Sequence, residues 1–471
     1  MKIVIAGGGI IGLSSAMLLA RDGHEVVVIE RDPAPPADPS AAWDDWEHRG
    51  VTQVRMAHHF APRFRAVVER ELPDVLDGLV AAGAHRYNPL DDLPADVRGA
   101  TRPGDGAFDT VTARRVVTES VVDTAASGTP GVDVRRGQAV AGLLAGAPDG
   151  SGIPTVAGVR LVSGEEVACD LVVDAGGRRS ALPTWLDDLG AAPCLDVVED
   201  SGFTYYGRHF RSADGSLPEQ QGVTLLNEFG SVSLLTLPAD NSTWSVVVVV
   251  AAGDAALRGL SRTDRWTEAV RSIPGFEPWV DGAPLEDRVM AMAKIEDRIR
   301  SLVVDGRPVA SGVLTVGDAW ACTNPSVGRG ISIGLLHAVA LRDTLHDRAD
   351  RADAALTLEW DEVTGRVVGP WFEATRAGDR LRLAEMQALA AGEEFTSDDP
   401  AFEIARALGA AARVDPGCAR ALFGIAGVLE LPGDALAGPG VFDTVVGVGA
   451  DWRDVARPGP SRADLVAVAA G

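Results

Sequence analysis

The sequence predicts an α/β fold of Rossmann type, interrupted by an antiparallel-sheet insertion and followed by a helical C-terminal region. Three observations predict it. An apolar run, Ile3–Ala6, passes through a cluster of glycines into a helical pattern and then a second β-branched run, Glu25–Ile29. From about 200 to 252 the pattern changes to alternation, in FTYYGRHF, VTLLNEF, SVSLLTL and WSVVVVV. After Gly334 the chain reads as mostly helical, with a Gly/Pro-rich break around 432–440.

The elements follow in order. Ile3–Ala6 and Glu25–Ile29 are short continuous apolar runs, as parallel strands buried on both faces require. Ile10 to about Arg21 carries helical periodicity between them. Residues 33–40 (PAPPADPS) form a turn-like loop leaving the second strand. An amphipathic helix pair is expected over 61–83, a helix over 113–126, and strands near 132–144, 155–163 and Leu171–Ala175. Val246–Ala252 is the longest apolar stretch; it suits a buried strand and is far too short to span a membrane. Val313–Val316 is one more short strand, ending at Gly317–Asp318. The order predicts a dinucleotide-binding domain at 1–195, a substrate domain at 196–300, a return at 301–345 and a helical region at 346–471.

Composition bounds the function. A chain of 471 residues with 46% hydrophobic and 23% charged residues has room for two or three globular units. A formal charge of −24 repels phosphate backbones and anionic lipid, so neither nucleic acid nor membrane is an expected partner. Cys169, Cys194, Cys322 and Cys418 are scattered, and the eight histidines show no metal-ligand spacing. A reduced, cytoplasmic protein without a structural metal is expected, and MKIVIAGGG begins directly on a strand, without a charged leader.

IVIAGGGIIGLSSA carries G-x-G-x-x-G at Gly7, Gly9 and Gly12. Gly7 permits the tight turn, Gly9 lets the backbone approach a pyrophosphate, and Gly12 lets the helix pack on the strand. The helix start at Ile10 and Ile11 offers N–H groups to the phosphates. Glu30, 18 residues after Gly12, ends the second strand beside Arg31, where an acid accepts hydrogen bonds from a ribose diol. That favours FAD or NAD over NADP. One fingerprint occurs, so a pyridine nucleotide would bind without a Rossmann domain of its own.

Two later segments bear on which dinucleotide is held. With the N-terminal turn, DLVVDAGGRRSALPTWL (Asp170–Leu186) and VLTVGDAWACTNPSVGRGISIG (Val313–Gly334) resemble the FAD-dependent monooxygenase superfamily with the para-hydroxybenzoate-hydroxylase fold. The resemblance spans about residues 1–345. It implies FAD, with Gly317 and Asp318 on the ribityl and pyrophosphate groups, and Pro325, Gly328, Gly330, Ile331 and Ser332 opening a helix towards the flavin. It also implies Arg115 on the phosphates in preference to Arg114, a backbone contact from Val140 to adenine, and Asp174 in the middle motif. That motif departs from the family pattern. Asp174-Ala175-Gly176-Gly177 has Gly176 where the hydroxylases keep an aspartate, a form also similar to geranylgeranyl-reductase-like branches. Direct reduction by NADH or NADPH is thereby put in question, and a separate flavin reductase becomes an alternative donor.

The activity implied is hydroxylation or epoxidation of a small organic molecule with O2, through a flavin C4a-hydroperoxide, in a setting such as secondary metabolism. The insertion would roof the flavin, with Phe203, Tyr205, Tyr206, Phe229 and Trp244 as candidate substrate contacts. In WDDWEHRGVTQVRMAHHF, Gln53, Arg55, His58 and His59 are candidate catalytic groups, a histidine there acting as acid or base near neutral pH. Halogenases share the fold, and by that resemblance they require a lysine near the flavin in the first hundred residues; no lysine lies between Lys2 and Lys294, and Trp43 and Trp46 do not make the Trp-x-Trp motif, so halogenation is disfavoured. The alternatives are an FAD-dependent dehydrogenase or reductase without oxygen insertion, and a non-catalytic flavin-binding protein.

Overall fold

A computed structural model describes residues 1–471 apart from 52, 148–151, 222–223, 326–327, 347, 349–351 and 455–458, and apart from the side chain at 454. Its centre is a parallel sheet built from the predicted βαβ unit: β1 (Lys2–Ala6), α1 (Ile10–Arg21) and β2 (Glu25–Glu30). β3 (Val132–Arg136), β4 (Leu171–Asp174) and β5 (Val313–Thr315) complete it in the order β5–β4–β1–β2–β3. Register aligns Ala6 with Ile29 on one side and with Asp174 on the other. The strand ends carrying Gly7, Glu30 and the Asp174 turn therefore open on one edge.

Alternation along these strands sorts their side chains into two cores. Ile3, Ile5, Val26, Val28, Leu171 and Val173 face three helices: α1, α2 (Arg115–Ser127) and α3 (Gly330–His346). Val4, Val27, Ile29 and Val172 face a small antiparallel sheet of Val140–Ala145, Val156–Leu161 and Glu166–Ala168. Burial on both faces is why the runs read as continuously apolar. Each such aliphatic side chain contributes roughly 1.5–3 kcal/mol on leaving water.

The predicted helix pair is Pro62–Glu71 and Pro73–Ala81, each opening on a proline. The insertion is an antiparallel sheet in the order Leu226–Phe229, Val232–Pro238, Thr243–Ala251, Phe203–Arg211, Ala283–Pro284. Its strand VTLLNEF begins only at Leu226, and position 223 lies outside the described residues. One sheet face packs Phe203, Tyr205, Leu235, Val247 and Val249 toward the middle of the molecule. The other packs Phe210, Trp244, Val246 and Val248 under Thr263–Arg271 and the final helix Arg462–Ala470. The C-terminal region thus serves two places, since Pro400–Ala411 and Pro416–Ala426 lie elsewhere, around a separate core with Leu408, Cys418 and Phe423. Among the described residues no helix is long and apolar enough to cross a membrane.

Candidate active site

A cavity of about 780 Å³ runs from the glycine turn to the inserted sheet and the C-terminal helices. That volume falls in the range of small-molecule and cofactor sites, about 300–1,000 Å³. Its dinucleotide end is lined by Gly7, Gly9, Ile10, Ile11, Gly12, Glu30, Arg31, Val140 and Asp174. Farther in come Arg115, Asp318, Pro325, Gly328, Gly330 and Ile331. Gly317 and Ser332 do not line it. Gly317 forms the turn behind the wall at φ +60, and the Ser332 hydroxyl is fully buried without a hydrogen-bond partner among the described residues. The two positions between Pro325 and Gly328 lie outside the described residues.

The glycines divide their work as their surroundings dictate. Gly7 has φ +117, and a Cβ there would sit 2.5 Å from the Ala175 carbonyl oxygen. A Cβ on Gly12 would overlap the Gly7 carbonyl oxygen. At Gly9 nothing lies within 4 Å of the Cβ position, although the residue lines the cavity. That space is a cradle which a side chain would fill. Gly9 is also the N-cap of α1 and gives no side-chain cap, so the first-turn N–H groups remain available to a phosphate.

Glu30 is buried at the edge of this cradle. Its Oε2 accepts from Gly8 N at 2.6 Å and its Oε1 from Asp32 N at 2.8 Å, leaving further lone pairs on each oxygen. Asp174 is engaged within its own turn: Oδ1 accepts from Gly176 N at 2.9 Å and Oδ2 from the Ser180 hydroxyl at 2.5 Å. Burial pushes its carboxyl up, against those two hydrogen bonds. Burial likewise pushes Asp318 up, against the charges of Arg115 and Arg178. Its turn is fixed from behind, where His337 Nδ1 accepts from Gly317 N at 3.1 Å and buried Arg300 donates to the Ala319 carbonyl at 3.1 Å.

The two arginines of TARR separate cleanly. Arg114 is buried against Asp240, with Nη2 to Oδ2 at 2.7 Å, and does not line the cavity. Arg115 does, held at both ends: Nε donates to Glu119 Oε1 at 2.6 Å and Nη1 to His58 Nε2 at 2.9 Å.

His58 differs from expectation in its chemistry. Its Nδ1 donates to the Met56 carbonyl at 2.9 Å, which leaves Nε2 as the acceptor from Arg115. Both ring nitrogens are thus engaged, and burial with the Arg115 charge holds its pKa down at about 3. His59 is depressed to about 4 by burial and by Arg329. Each keeps surface toward the cavity, yet neither is an acid or base poised near neutral pH. Gln53 lines the cavity, whereas Arg55 donates to the Trp43 carbonyl at 2.7 and 3.0 Å and stands outside the wall.

The aromatic residues expected to contact substrate are a further correction. Phe203, Tyr205, Tyr206, Phe229 and Trp244 are absent from the cavity wall. Side chains alternate across a sheet, so Tyr206 and Trp244 point into the opposite core, where the Trp244 indole donates to the Trp279 carbonyl at 2.8 Å. Phe229 packs edge-on to Phe276, with centroids 5.7 Å apart. Phe203 and Tyr205 share the inward face but stay in its core, the Tyr205 hydroxyl bonding Asn324 Oδ1. The wall takes Gln220, Thr224, Leu225, Leu226, Glu228 and Leu235 instead, and Ala405, Leu422, Phe423 and Ile425 from the C-terminal helices.

Sequence reasoning also missed His48. It lines the cavity, fully surrounded, with Nδ1 on Asp32 Oδ2 and Nε2 on Glu119 Oε2. Burial opposes its charge, but the two carboxylates outweigh that and raise its pKa. Burial opposes Glu119 too, but Arg115 and His48 bring that carboxyl down to about 2. A line of contacts thus runs from the end of β2 through Asp32, His48 and Glu119 to Arg115 and His58. Only the crowding of Trp, His and acid in WDDWEHRG hinted at it.

The open cradle at Gly9, the uncapped start of α1, Glu30, and the Asp318 carboxylate in the wall are the donor and acceptor set an FAD requires, so the residues present fit that cofactor. By its parallel sheet, inserted antiparallel sheet and dinucleotide turn, the chain is an FAD-dependent oxidoreductase. The DAO family, described as FAD dependent oxidoreductase, matches residues 2–71. The protein is 26% identical over 415 residues to Protein Rv3254 of Mycobacterium tuberculosis, covering 80% of this chain and 79% of that one. In fold it is similar to a flavoprotein/dehydrogenase from Cytophaga hutchinsonii, with TM-score 0.62, 14% identity, and coverage of 96% of this chain and 99% of that one. It is also similar to OxyS anhydrotetracycline hydroxylase from Streptomyces rimosus, with TM-score 0.55, 19% identity, and coverage of 91% of this chain and 76% of that one.

Proposed function

We propose that the protein is an FAD-dependent monooxygenase that inserts one oxygen atom from O2 into a small organic molecule. One observation carries the reading. The cavity does not end at the dinucleotide site but continues into a mainly apolar chamber walled by Met56, Leu225, Leu226, Leu235, Met292, Ile295, Leu422 and Phe423. Such an apolar wall suits an organic molecule, whose binding would displace water from the reacting atoms. The likeness to a hydroxylase fold supports the same reading.

FAD, when bound and reduced, supplies the activation of O2. The chain's own residues do the rest. Gly9 and the start of α1 receive the pyrophosphate, Glu30 the ribose, and Asp318 a hydroxyl-bearing part of the cofactor. Arg115 is held in one orientation by Glu119 and His58, so it presents a fixed positive charge to the cavity. His58 stays neutral and acts as a positioning residue. NADH, NADPH or a separate flavin reductase supplies electrons, and Gly176 in place of an aspartate favours the last of these.

The test exposes dithionite-reduced holoprotein to ¹⁸O2 with a panel of small aromatic compounds, following flavin absorbance by stopped flow. The expected result is reoxidation in more than one phase and ¹⁸O in an organic product. Single-phase reoxidation with stoichiometric hydrogen peroxide and no labelled product overturns the reading. It leaves the dehydrogenase class, to which the Cytophaga protein's fold also points.

A further inference from the structure

Arg329 stands between Gly328 and Gly330 on the loop that opens α3, and it lines the cavity. Its guanidinium has weak protein partners. Nη2 donates to the Ile425 carbonyl at 3.2 Å and Nη1 to Thr375 Oγ1 at 3.4 Å, while Nε is buried with no partner among the described residues. Among the described residues no carboxylate lies within ion-pair distance of it, although the charge of Asp379 favours its charged form. A largely desolvated cation without an ion-pair partner gains from an anion that completes it.

His59 is its neighbour. The Cβ position of Gly328 lies 2.5 Å from His59 Cβ, so loop and histidine are in contact, and the Arg329 charge reaches the ring. No described residue hydrogen-bonds the His59 ring, which faces the chamber. Two acids in the chamber wall are engaged elsewhere. Glu228 pairs with Arg406, and Glu296 with Arg298 at 3.0 Å. Burial and the like charges of Asp91 and Glu219 push the Asp92 carboxyl up, which favours its uncharged form.

We propose that Arg329 and His59 form a recognition site for a carboxylate on the substrate, the guanidinium pairing with the anion and the neutral imidazole adding a hydrogen bond. The planar guanidinium fork matches a carboxylate, and the apolar wall beyond it would take the rest of an aromatic or aliphatic acid. The proposal rests on reading the chamber as a substrate site, but its test involves no turnover, so it stands or falls separately from oxygen insertion.

Oxidised, FAD-loaded protein is titrated with benzoate, phenylacetate and 2-naphthoate, each against its amide, reading flavin difference absorbance and thermal shift. At least one acid is expected to bind at least tenfold more tightly than its amide. Arg329→Gln should abolish that preference, and His59→Gln should weaken it several-fold. Should Arg329→Gln fail to load FAD, Arg329→Lys carries the measurement, and its preference should fall because an ammonium lacks the fork. The proposal is overturned if no acid outbinds its amide, or if the substituted proteins keep the wild-type preference. It is equally overturned if Arg329→Gln shifts the flavin midpoint potential while the preference persists, since the charge would then serve the reduced flavin.

Discussion

Gly9 and Gly12 stand three residues apart in one motif and answer to different constraints. Gly9→Ala puts a methyl group into open cavity, so the apoprotein should keep its melting temperature while FAD affinity falls at least tenfold by equilibrium dialysis. Gly12→Ala meets the Gly7 carbonyl and should cost folding outright, by several kcal/mol, seen as loss of soluble protein or a collapsed thermal transition. His48 gives a second prediction at this scale. It faces Asp32 and Glu119 directly, with Glu30, Asp123, Arg115 and Arg136 on the elements around it. A histidine pKa raised in the fold stabilises the protein below the unfolded value of 6.5, and that stability is lost as pH rises through the folded value. Wild-type protein should therefore lose stability as pH rises from about 6.5. His48→Gln should be less stable at pH 6, by about 1–3 kcal/mol, with that alkaline dependence flattened in urea melts.

At the scale of elements, the C-terminal helices are the part whose place was open in the sequence. Pro400–Ala411 contributes Ala405 to the cavity wall and is clamped there by Arg406, which pairs with Glu228 of the inserted sheet and with Glu385 of helix Gly369–Ala391. Three separate elements thus meet on one guanidinium. Arg406→Ala should lower stability by about 1–3 kcal/mol and open the chamber. Iodide quenching of flavin fluorescence should then rise; unchanged quenching with unchanged stability would show that the clamp does not hold the wall. The same scale explains which parts were legible. Short apolar runs identified β1, β2, β4 and β5, because buried parallel strands need little else. The helix pair at 61–83 and the alternation from 200 to 252 were legible from their periods, about 3.6 in a helix and two in a strand. The facing of Trp244 was not, because alternation gives two faces without saying which one meets the cavity.

For the whole molecule, three histidines whose charge the surrounding protein disfavours weaken the fold in acid. His58 and His337 titrate at about 3 and His59 at about 4, each depressed first by burial, whereas the unfolded chain takes up those protons near 6.5. The unfolded state therefore binds more protons between these values, and the histidine contribution to stability falls as pH drops below 6.5. The contribution of one histidine is read as a difference: wild type should lose stability between pH 6.5 and 4.5 more steeply than His59→Gln. Parallel urea-midpoint curves for the two proteins would contradict the assignment.

The sequence by itself determined the dinucleotide turn, the acid at the end of β2 and the α/β order, since each depends on residues close together in the chain and on local backbone sterics. Gly7, Gly9, Gly12 and Glu30 required no knowledge of the rest of the molecule. Only the tertiary structure decided which side chains share the cavity. It gave Arg115 to the cavity and Arg114 to Asp240, joined His48 to Glu119 across 71 positions, and brought Ile425 against Arg329 across 96. It turned the sheet's aromatics inward to their own cores and lined the chamber with helices from the far end of the chain. Those placements depend on packing between distant segments, and no local pattern of residues records them.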